Sequence, residues 1–206
     1  YTQDKEMHKR IQKVSIDFSL TSLAKELARK FIHVGACGTA LFLIGHDLIV
    51  LELLFLPVMA LGFYISERVD VLGKTLSFGS RRKWGGILLA FGLSIVMLMP
   101  VEYELKKFAI LTLMIADVMA AIIGKIVPLR KVEVLGAFKS IGGSLAFAIG
   151  VIIALTLSFD GWQTNWQLKI LVTILTLEFF EFLNWRGIDN LTLPFAALTL
   201  GSIFWI

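Results

Sequence analysis

The sequence predicts an all-α integral membrane protein, a polytopic bundle of about seven transmembrane helices. Hydrophobic residues make up 57% of the 206 positions and charged residues only 17%, and the mean hydropathy is +0.80. A water-soluble domain does not need so much apolar sequence for its core. Most charged residues lie between long apolar runs, which is typical of a chain that crosses a membrane repeatedly.

Seven apolar segments are near the roughly 20 residues that a helix needs to cross the hydrocarbon core. Before them, residues 5–27 combine basic residues with apolar residues at helical spacing. This pattern predicts an amphipathic helix on a membrane surface, with a flexible, solvated tail as the alternative. No linker divides the chain, so residues 1–206 form one domain, with 1–25 as its amphipathic or flexible N-terminal segment. The predicted spans are 31–45, 48–66, 84–100, 107–124, 140–158, 168–185 and 190–206.

The basic residues predict the orientation of these spans. Of the 20 lysines and arginines, 17 lie in the N-terminal segment and in every second connection after it, leaving three on the opposite side. Cytoplasmic segments carry the excess of such cations, so we expect a cytoplasmic N-terminus. The protein is then a multi-pass protein of a bacterial or archaeal plasma membrane, or of the endoplasmic reticulum in a eukaryote. An anionic ligand is drawn to the basic, cytoplasmic face.

Asp117 lies within the apolar run 107–124. An ionised carboxylate costs several kcal/mol in hydrocarbon, so an acid at this depth indicates function by default. The alternative is a purely structural pairing with a nearby lysine. Small residues recur every fourth position in this span and in the next, which predicts that these two helices pack closely with Asp117 facing the bundle near its cytoplasmic end. The small residues are Ala116, Ala120 and Gly124, then Gly142, Ala146 and Gly150.

Other polar residues collect near the same boundary. Ser140 is placed to cap the fifth span, and the glycines after it are expected to leave helix N–H groups accessible to an anion, beside Lys139. Arg29 and Lys30 fit either membrane anchoring or phosphate binding, and His33 is a candidate proton acceptor or phosphate donor. Arg82 and Lys83 allow the same two interpretations. The acidic residues Glu178, Glu181 and Asp189, with Asp117, are candidate oxygen ligands for Mg²⁺.

Several classes of protein are excluded or disfavoured by what the sequence lacks. It contains no Gly-x-x-x-x-Gly-Lys-Ser/Thr and no Gly-x-Gly-x-x-Gly pattern, so the common nucleotide-binding loops are absent. The cations serve membrane topology rather than a soluble basic face, so nucleic acid is not an expected partner. Cys37 is the single cysteine, which excludes an intramolecular disulfide and a cysteine metal cluster and predicts a packing residue.

An ordered set of short motifs resembles the dolichol kinase, phytol kinase and CTP-dependent diacylglycerol kinase group of polyprenol kinase-like membrane lipid kinases. This group is itself distantly similar to phosphatidate cytidylyltransferases. The set covers residues 26–194, nearly the whole chain. The matching pieces are Glu-Leu-Ala-Arg-Lys-Phe-Ile-His (26–33), Arg-Lys-Trp-Gly-Gly (82–86), Ala-Asp-Val-Met-Ala-Ala-Ile-Ile-Gly-Lys (116–125), Lys-Ser-Ile-Gly-Gly-Ser (139–144), a glutamate in span six, and Asp-Asn-Leu-Thr-Leu-Pro (189–194).

The resemblance implies a kinase that transfers the γ-phosphate of CTP, with Mg²⁺, to the hydroxyl of a lipid alcohol: a polyprenol or dolichol, a phytol-like isoprenoid or diacylglycerol. Its partners are then CTP, the lipid alcohol and membrane lipids, and a homodimer is possible. The alternatives are a CTP-dependent cytidylyltransferase acting on a lipid phosphate and a non-enzymatic transporter.

Site residues are carried over by position. Two features depart from the family pattern: Glu178 and Glu181 stand where one glutamate is usual, with Glu181 favoured, and Ala116 replaces a serine or glycine. The general base stays open between Asp117 and His33. The expected catalytic residues are Asp117, His33 and Lys139; the nucleotide-binding residues are Arg29, Lys30, Arg82, Lys83, Lys125, Ser140, Gly142, Gly143, Ser144 and Asn190; the metal ligands are Asp117, Glu181, Glu178 and Asp189.

Overall fold

The structure, a computed structural model, describes residues 2–68, 85–127, 129–134, 137–160, 165–182 and 187–206. These residues are predominantly helical, as the composition predicts. The helices are α1 (Thr2–Gly45), α2 (Ile49–Arg68), α3 (Gly85–Leu98), α4 (Tyr103–Leu111), α5 (Val118–Ile126), α6 (Ile141–Ser158), α7 (Trp166–Phe182) and α8 (Asp189–Phe204), and a π-helical segment (Thr112–Asp117) joins α4 to α5.

Three helices are long and apolar enough to cross a membrane: Glu26–Gly45 within α1, the continuous rod Tyr103–Ile126, and α6. Two shorter apolar helices cover Ile49–Gly62 and Gly85–Leu98. Large apolar side chains cover the outside of the bundle, and Phe31, at 81% exposure, is the extreme case. A water-soluble protein does not expose so much apolar surface, so these helices suggest a membrane protein. Within the described ranges, a helix coincides with each of the seven predicted apolar segments.

The N-terminal segment is continuous with the first apolar helix. Helix α1 runs for 44 residues without a break, which corresponds to a length of about 66 Å at 1.5 Å per residue. Of the two alternatives predicted for the N-terminal segment, a helix or a flexible tail, the structure shows residues 2–25 as helix. The side chains of residues 2–22 lie outside the described part, so the predicted amphipathic face stays a prediction.

The bundle core is formed where the α4–α5 rod packs against α1, α6 and α8, while α3 packs between α2 and α8. Phe108, Phe147 and Leu193 are completely or almost completely buried there. Cys37 is also fully buried, which confirms that it packs in the core.

The predicted packing of the fourth and fifth apolar segments is confirmed. A Cβ placed on Gly150 of α6 would lie 2.5 Å from the Cα of Ala116, and one placed on Gly143 would lie 3.1 Å from the backbone oxygen of Ala120. These distances leave no room for larger side chains. The stripe of small residues therefore brings the two backbones together, as expected for such spacing.

A two-stranded antiparallel hairpin precedes α6, which the all-α prediction did not include. Strands β1 (Lys131–Val134) and β2 (Ala137–Ser140) pair with Lys131 opposite Ser140 and Val134 opposite Ala137. The hairpin ends at Ser140, the residue that opens α6. It therefore fixes the direction in which the chain enters that helix.

The two ends of the bundle differ in chemistry. The end that carries Lys30, Lys125 and Ser140 is called the polar end below. At the opposite end, Lys169 donates a 2.9 Å hydrogen bond to the backbone oxygen of Phe204, and the rings of Phe159 and Trp205 stack. Lys169 therefore stabilises the C-terminus of α8, where unpaired carbonyl groups favour a cation.

Candidate functional site

A buried ion pair joins α1 to the α4–α5 rod. The ammonium group of Lys30 donates to the carboxylate of Asp117, and the two residues are only 4% and 5% exposed. Either charge alone would be costly at this depth, because a buried ion without a partner loses its hydration without compensation. Asp117 is thus buried as predicted, and its first contact is a lysine 87 residues earlier in the chain.

Asp117 is the last residue of the π-helical segment. The i, i+3 and i+7 spacing of Asp117, Ala120 and Gly124 predicts one shared side of the helix that faces the bundle. In the structure, Asp117 contacts α1, whereas Ala120 and Gly124 contact Gly143 of α6. The π-helical turn shifts the register of the positions before it relative to Asp117 and the residues that follow, and such turns are frequent at functional sites.

His33 lies beside this ion pair. Its Nε2 is 3.6 Å from Oδ2 of Asp117. The residue is 6% exposed, and Nε2 has no hydrogen-bond partner among the described residues. Helical spacing puts His33 on the same side of α1 as Lys30, as predicted. The three side chains form a compact acid–base cluster within helices that are long and apolar enough to cross a membrane.

A second set of charges continues toward the end of α5. The carboxylate of Glu26 pairs with Arg29 on its own helix, and its other oxygen lies 3.0 Å from the ammonium group of Lys125. Sequence reasoning did not assign Glu26 a role, although it lies in the quoted segment 26–33. Its spacing of three residues before Arg29 is a signal that identifies such pairs on a helix.

Ser140 caps α6, which confirms the predicted local geometry. Its hydroxyl accepts a 3.1 Å hydrogen bond from the amide of Gly143 and donates one of 3.2 Å to the backbone oxygen of Gly124. Gly142 and Gly143 are buried in this helix contact, and a Cβ on Gly142 would collide with the backbone oxygen of Val127. The expected exposure of these amides is therefore wrong, because the glycines allow two backbones to meet. Nucleotide binding by Gly142, Gly143 and the neighbouring Ser144 stays a prediction.

Lys139 and Glu181 form an ion pair between the hairpin and the last turn of α7. Both side chains are largely buried, and Glu178 lies close enough to interact with both charges. The direct partner of Lys139 is thus Glu181, the glutamate that the sequence favoured. The pair lies next to the Ser140 cap, which in turn contacts α5.

A pocket opens at the polar end between α1, α3 and the start of α8. The amide nitrogen of Asn190 donates a 2.9 Å hydrogen bond to the backbone oxygen of Gly85 and so ties α8 to α3. Gly187 has a φ of +90°, which disfavours any residue with a side chain, and a Cβ there would lie 2.8 Å from the Cα of Gly85. The pocket is lined by Arg29, Lys30, Ile32, His33, Gly85, Gly86, Leu89, Gly187, Asp189 and Asn190.

The predicted site residues are thus brought to one end of the bundle in two linked groups. One group surrounds Asp117 and the pocket, and the other surrounds Lys139, with the Gly124–Ser140 contact between them. Arg82 and Lys83 lie outside the described residues.

The predicted magnesium ligands do not form a ready metal centre. Within the described residues, no three acidic, histidine or cysteine side chains are grouped closely enough to hold a metal ion. Asp117 and Glu181 each pair with a lysine instead. Magnesium is commonly held by one or two carboxylates together with substrate phosphates and water, so magnesium binding by these residues stays a prediction.

Comparisons of the chain with models of protein families, with curated proteins and with solved structures give no match. The likeness to membrane lipid kinases therefore stays a prediction from short motifs.

Proposed function

We propose that this protein is a multi-pass membrane kinase that transfers the γ-phosphate of CTP to the hydroxyl of a lipid alcohol. The observation that carries the proposal is the buried Lys30–Asp117 pair with His33 beside it, because Lys30 and His33 also line a pocket. A pair that served only to hold two helices together would not need an adjoining pocket lined by further polar groups. Charged residues inside a membrane protein typically mark such functional positions.

The same proposal includes seven membrane crossings with a cytoplasmic N-terminus. Short connections at residues 46–48 and 99–102 reverse the chain between successive helices. The shorter helices α2, α3, α7 and α8 complete the crossings alongside the three long ones. In this orientation the polar end faces the cytoplasm, where CTP is present.

Phosphoryl transfer depends mainly on positioning of the two substrates and neutralisation of the phosphate charge, and little on covalent catalysis by the protein. Lys30, Lys139 and Arg29 supply positive charge for the phosphates. The lipid hydroxyl oxygen forms a bond to the γ-phosphorus, the bond from that phosphorus to the bridging oxygen breaks, and CDP leaves. The hydroxyl proton passes to Asp117 or His33. Magnesium, when bound with the nucleotide, supplies further positive charge on the phosphates, and Asp117, Glu178, Glu181 and Asp189 are the carboxylates available to it.

Product analysis tests this proposal directly. Purified protein is incubated with Mg²⁺, a panel of lipid alcohols and lipid phosphates, and CTP labelled at either the α- or the γ-phosphate, with ATP as a parallel donor. We expect γ-label in a lipid alcohol and release of CDP. Transfer of α-label to a lipid phosphate with release of pyrophosphate would instead identify a cytidylyltransferase. Absence of both reactions over the whole panel would favour the non-enzymatic alternative.

Lys139→Ala is expected to weaken CTP binding about tenfold, the loss of one charge-assisted hydrogen bond, with little effect on the KM for the lipid. Binding of CTP to protein in detergent micelles, together with the two KM values, measures this difference. Lys107→Ala is the matched control, since Lys107 lies over the Tyr103 ring at the opposite end. An unchanged CTP affinity in Lys139→Ala would remove Lys139 from the nucleotide site.

A further inference from the structure

Helix α8 begins at the pocket of the polar end. Its first residue, Asp189, lines the pocket. The helix is 16 residues long, so it carries a positive partial charge at its N-terminus. A phosphate or another anion is stabilised at such a position.

Two buried nitrogen atoms independently indicate a ligand. Nε2 of His33 and Nε of Arg29 are buried and have no hydrogen-bond partner among the described residues, and both side chains line the pocket. His33 itself is 6% exposed. Because buried polar atoms nearly always have a partner, these two nitrogens call for a group that can hydrogen-bond to both a guanidinium and an imidazole. Phosphate oxygens meet that requirement.

The cations of the pocket lining are already paired within the protein. Arg29 pairs with Glu26 and Lys30 with Asp117, so the unpartnered nitrogens rather than the net charge favour an anion. By contrast, the glycine-rich start of α6 is filled by its contact with α5, since Gly142 and Gly143 are buried there. The pocket between α1, α3 and α8 is thus better suited to receive a phosphate than the Ser140 cap.

We propose that this pocket binds a phosphate group between Arg29, His33 and the start of α8. The inference rests on the proposed kinase function, which supplies two sources of that group: the triphosphate of CTP and the monophosphate of the lipid product. Both present tetrahedral phosphate oxygens at the membrane boundary. Inorganic phosphate, CTP and a lipid monophosphate are therefore separate arms of the test.

Two variants change the pocket in different ways. Arg29→Gln removes one positive charge, and Glu26 keeps Lys125 as a partner, so the helices stay joined. Gly85→Ala adds one methyl group whose nearest neighbour is the Asn190 amide nitrogen at 3.8 Å, an ordinary contact that takes up space in the pocket. The matched controls are Lys107→Gln, which removes a charge at the opposite end, and Gly35→Ala, whose Cβ has nothing within 4 Å.

The experiment measures binding of inorganic phosphate, CTP and a lipid monophosphate to the full-length protein in micelles, by calorimetry. We expect inorganic phosphate to compete with at least one of the other two, which identifies the source. Arg29→Gln is expected to weaken binding about tenfold and Gly85→Ala several-fold, while both controls bind as the wild type does. Wild-type affinity in both pocket variants, or no binding of any of the three probes, would overturn the proposal.

The outcome is separable from that of the kinase proposal. If CTP-dependent transfer occurs and both pocket variants bind phosphate normally, only the pocket assignment is wrong. If the variants lose phosphate binding but the wild type transfers no phosphoryl group to any lipid alcohol, the pocket assignment stands and the kinase proposal fails.

Discussion

Asp117→Asn is expected to abolish phosphoryl transfer from CTP and to lower the free energy of unfolding by about 3–5 kcal/mol, the cost of breaking a buried ion pair from one side. The substitution keeps the size of the side chain but leaves the ammonium group of Lys30 buried without a counter-ion. Transfer assays and chemical unfolding in micelles measure the two effects separately.

A double variant separates catalysis from stability. Lys30→Met combined with Asp117→Leu replaces both charges by apolar side chains, and such replacements of buried ion pairs are often neutral or stabilising. We expect the double variant to recover most of the lost stability while phosphoryl transfer stays absent. Recovery of transfer would show that the pair is purely structural, and full activity in Asp117→Asn would remove Asp117 from the site.

Gly150→Val is expected to lower the free energy of unfolding by about 3 kcal/mol, toward the upper end of the usual cost of overpacking a core. The first atom of any side chain at this position lies 2.5 Å from the Cα of Ala116 and 3.0 Å from its Cβ, so α6 must move away from the α4–α5 rod. Unfolding in micelles, compared with the wild type, measures the cost.

Gly38→Val is the matched control for this substitution. Gly38 lies on α1, and a Cβ there has nothing within 4 Å, so we expect a change of less than about 1 kcal/mol, mainly from helix propensity. Equal stability of the Gly150 and Gly38 variants would contradict the close approach of α6 to the rod.

The elements that sequence predicted well are those with local patterns. Apolar runs locate the helices because each run must bury or shield its whole length, and the four-residue spacing of Ala116, Ala120 and Gly124 identifies the helix contact because it lies on one strip of surface. The Ser140 cap is equally local, since a serine and an amide three residues later suffice for it.

What sequence could not predict depends on tertiary structure. The chain has 20 basic residues, and the packing of α1 against the rod determines that Lys30 is the one that pairs with Asp117. The π-helical turn that ends at Asp117 leaves no periodic signal in the apolar run. Likewise, glycines in the segment 139–144 have the same spacing whether they bind an anion or pack against a neighbouring helix, and only the structure distinguishes the two.

The hairpin was missed for a different reason. The segment Lys131–Val134 alternates polar and apolar residues, which is the pattern of a short strand. Four residues are too few to outweigh the helical signal of the surrounding chain, since isolated two-stranded hairpins are marginal by themselves. Pairing with Ala137–Ser140 and attachment to α6 provide the missing support.

The central claim is that the polar end of the bundle faces the cytoplasm, and single cysteines test it most directly. Cys37 is fully buried, so the unmodified protein serves as the blank. Leu129→Cys places a thiol at an exposed position at the polar end, and Glu104→Cys places one at the exposed opposite end. In sealed vesicles with the cytoplasmic face outward, we expect a membrane-impermeant maleimide to label Leu129→Cys and not Glu104→Cys. The reverse result would contradict the account, because the side chains proposed to bind phosphate would then face away from cytoplasmic CTP.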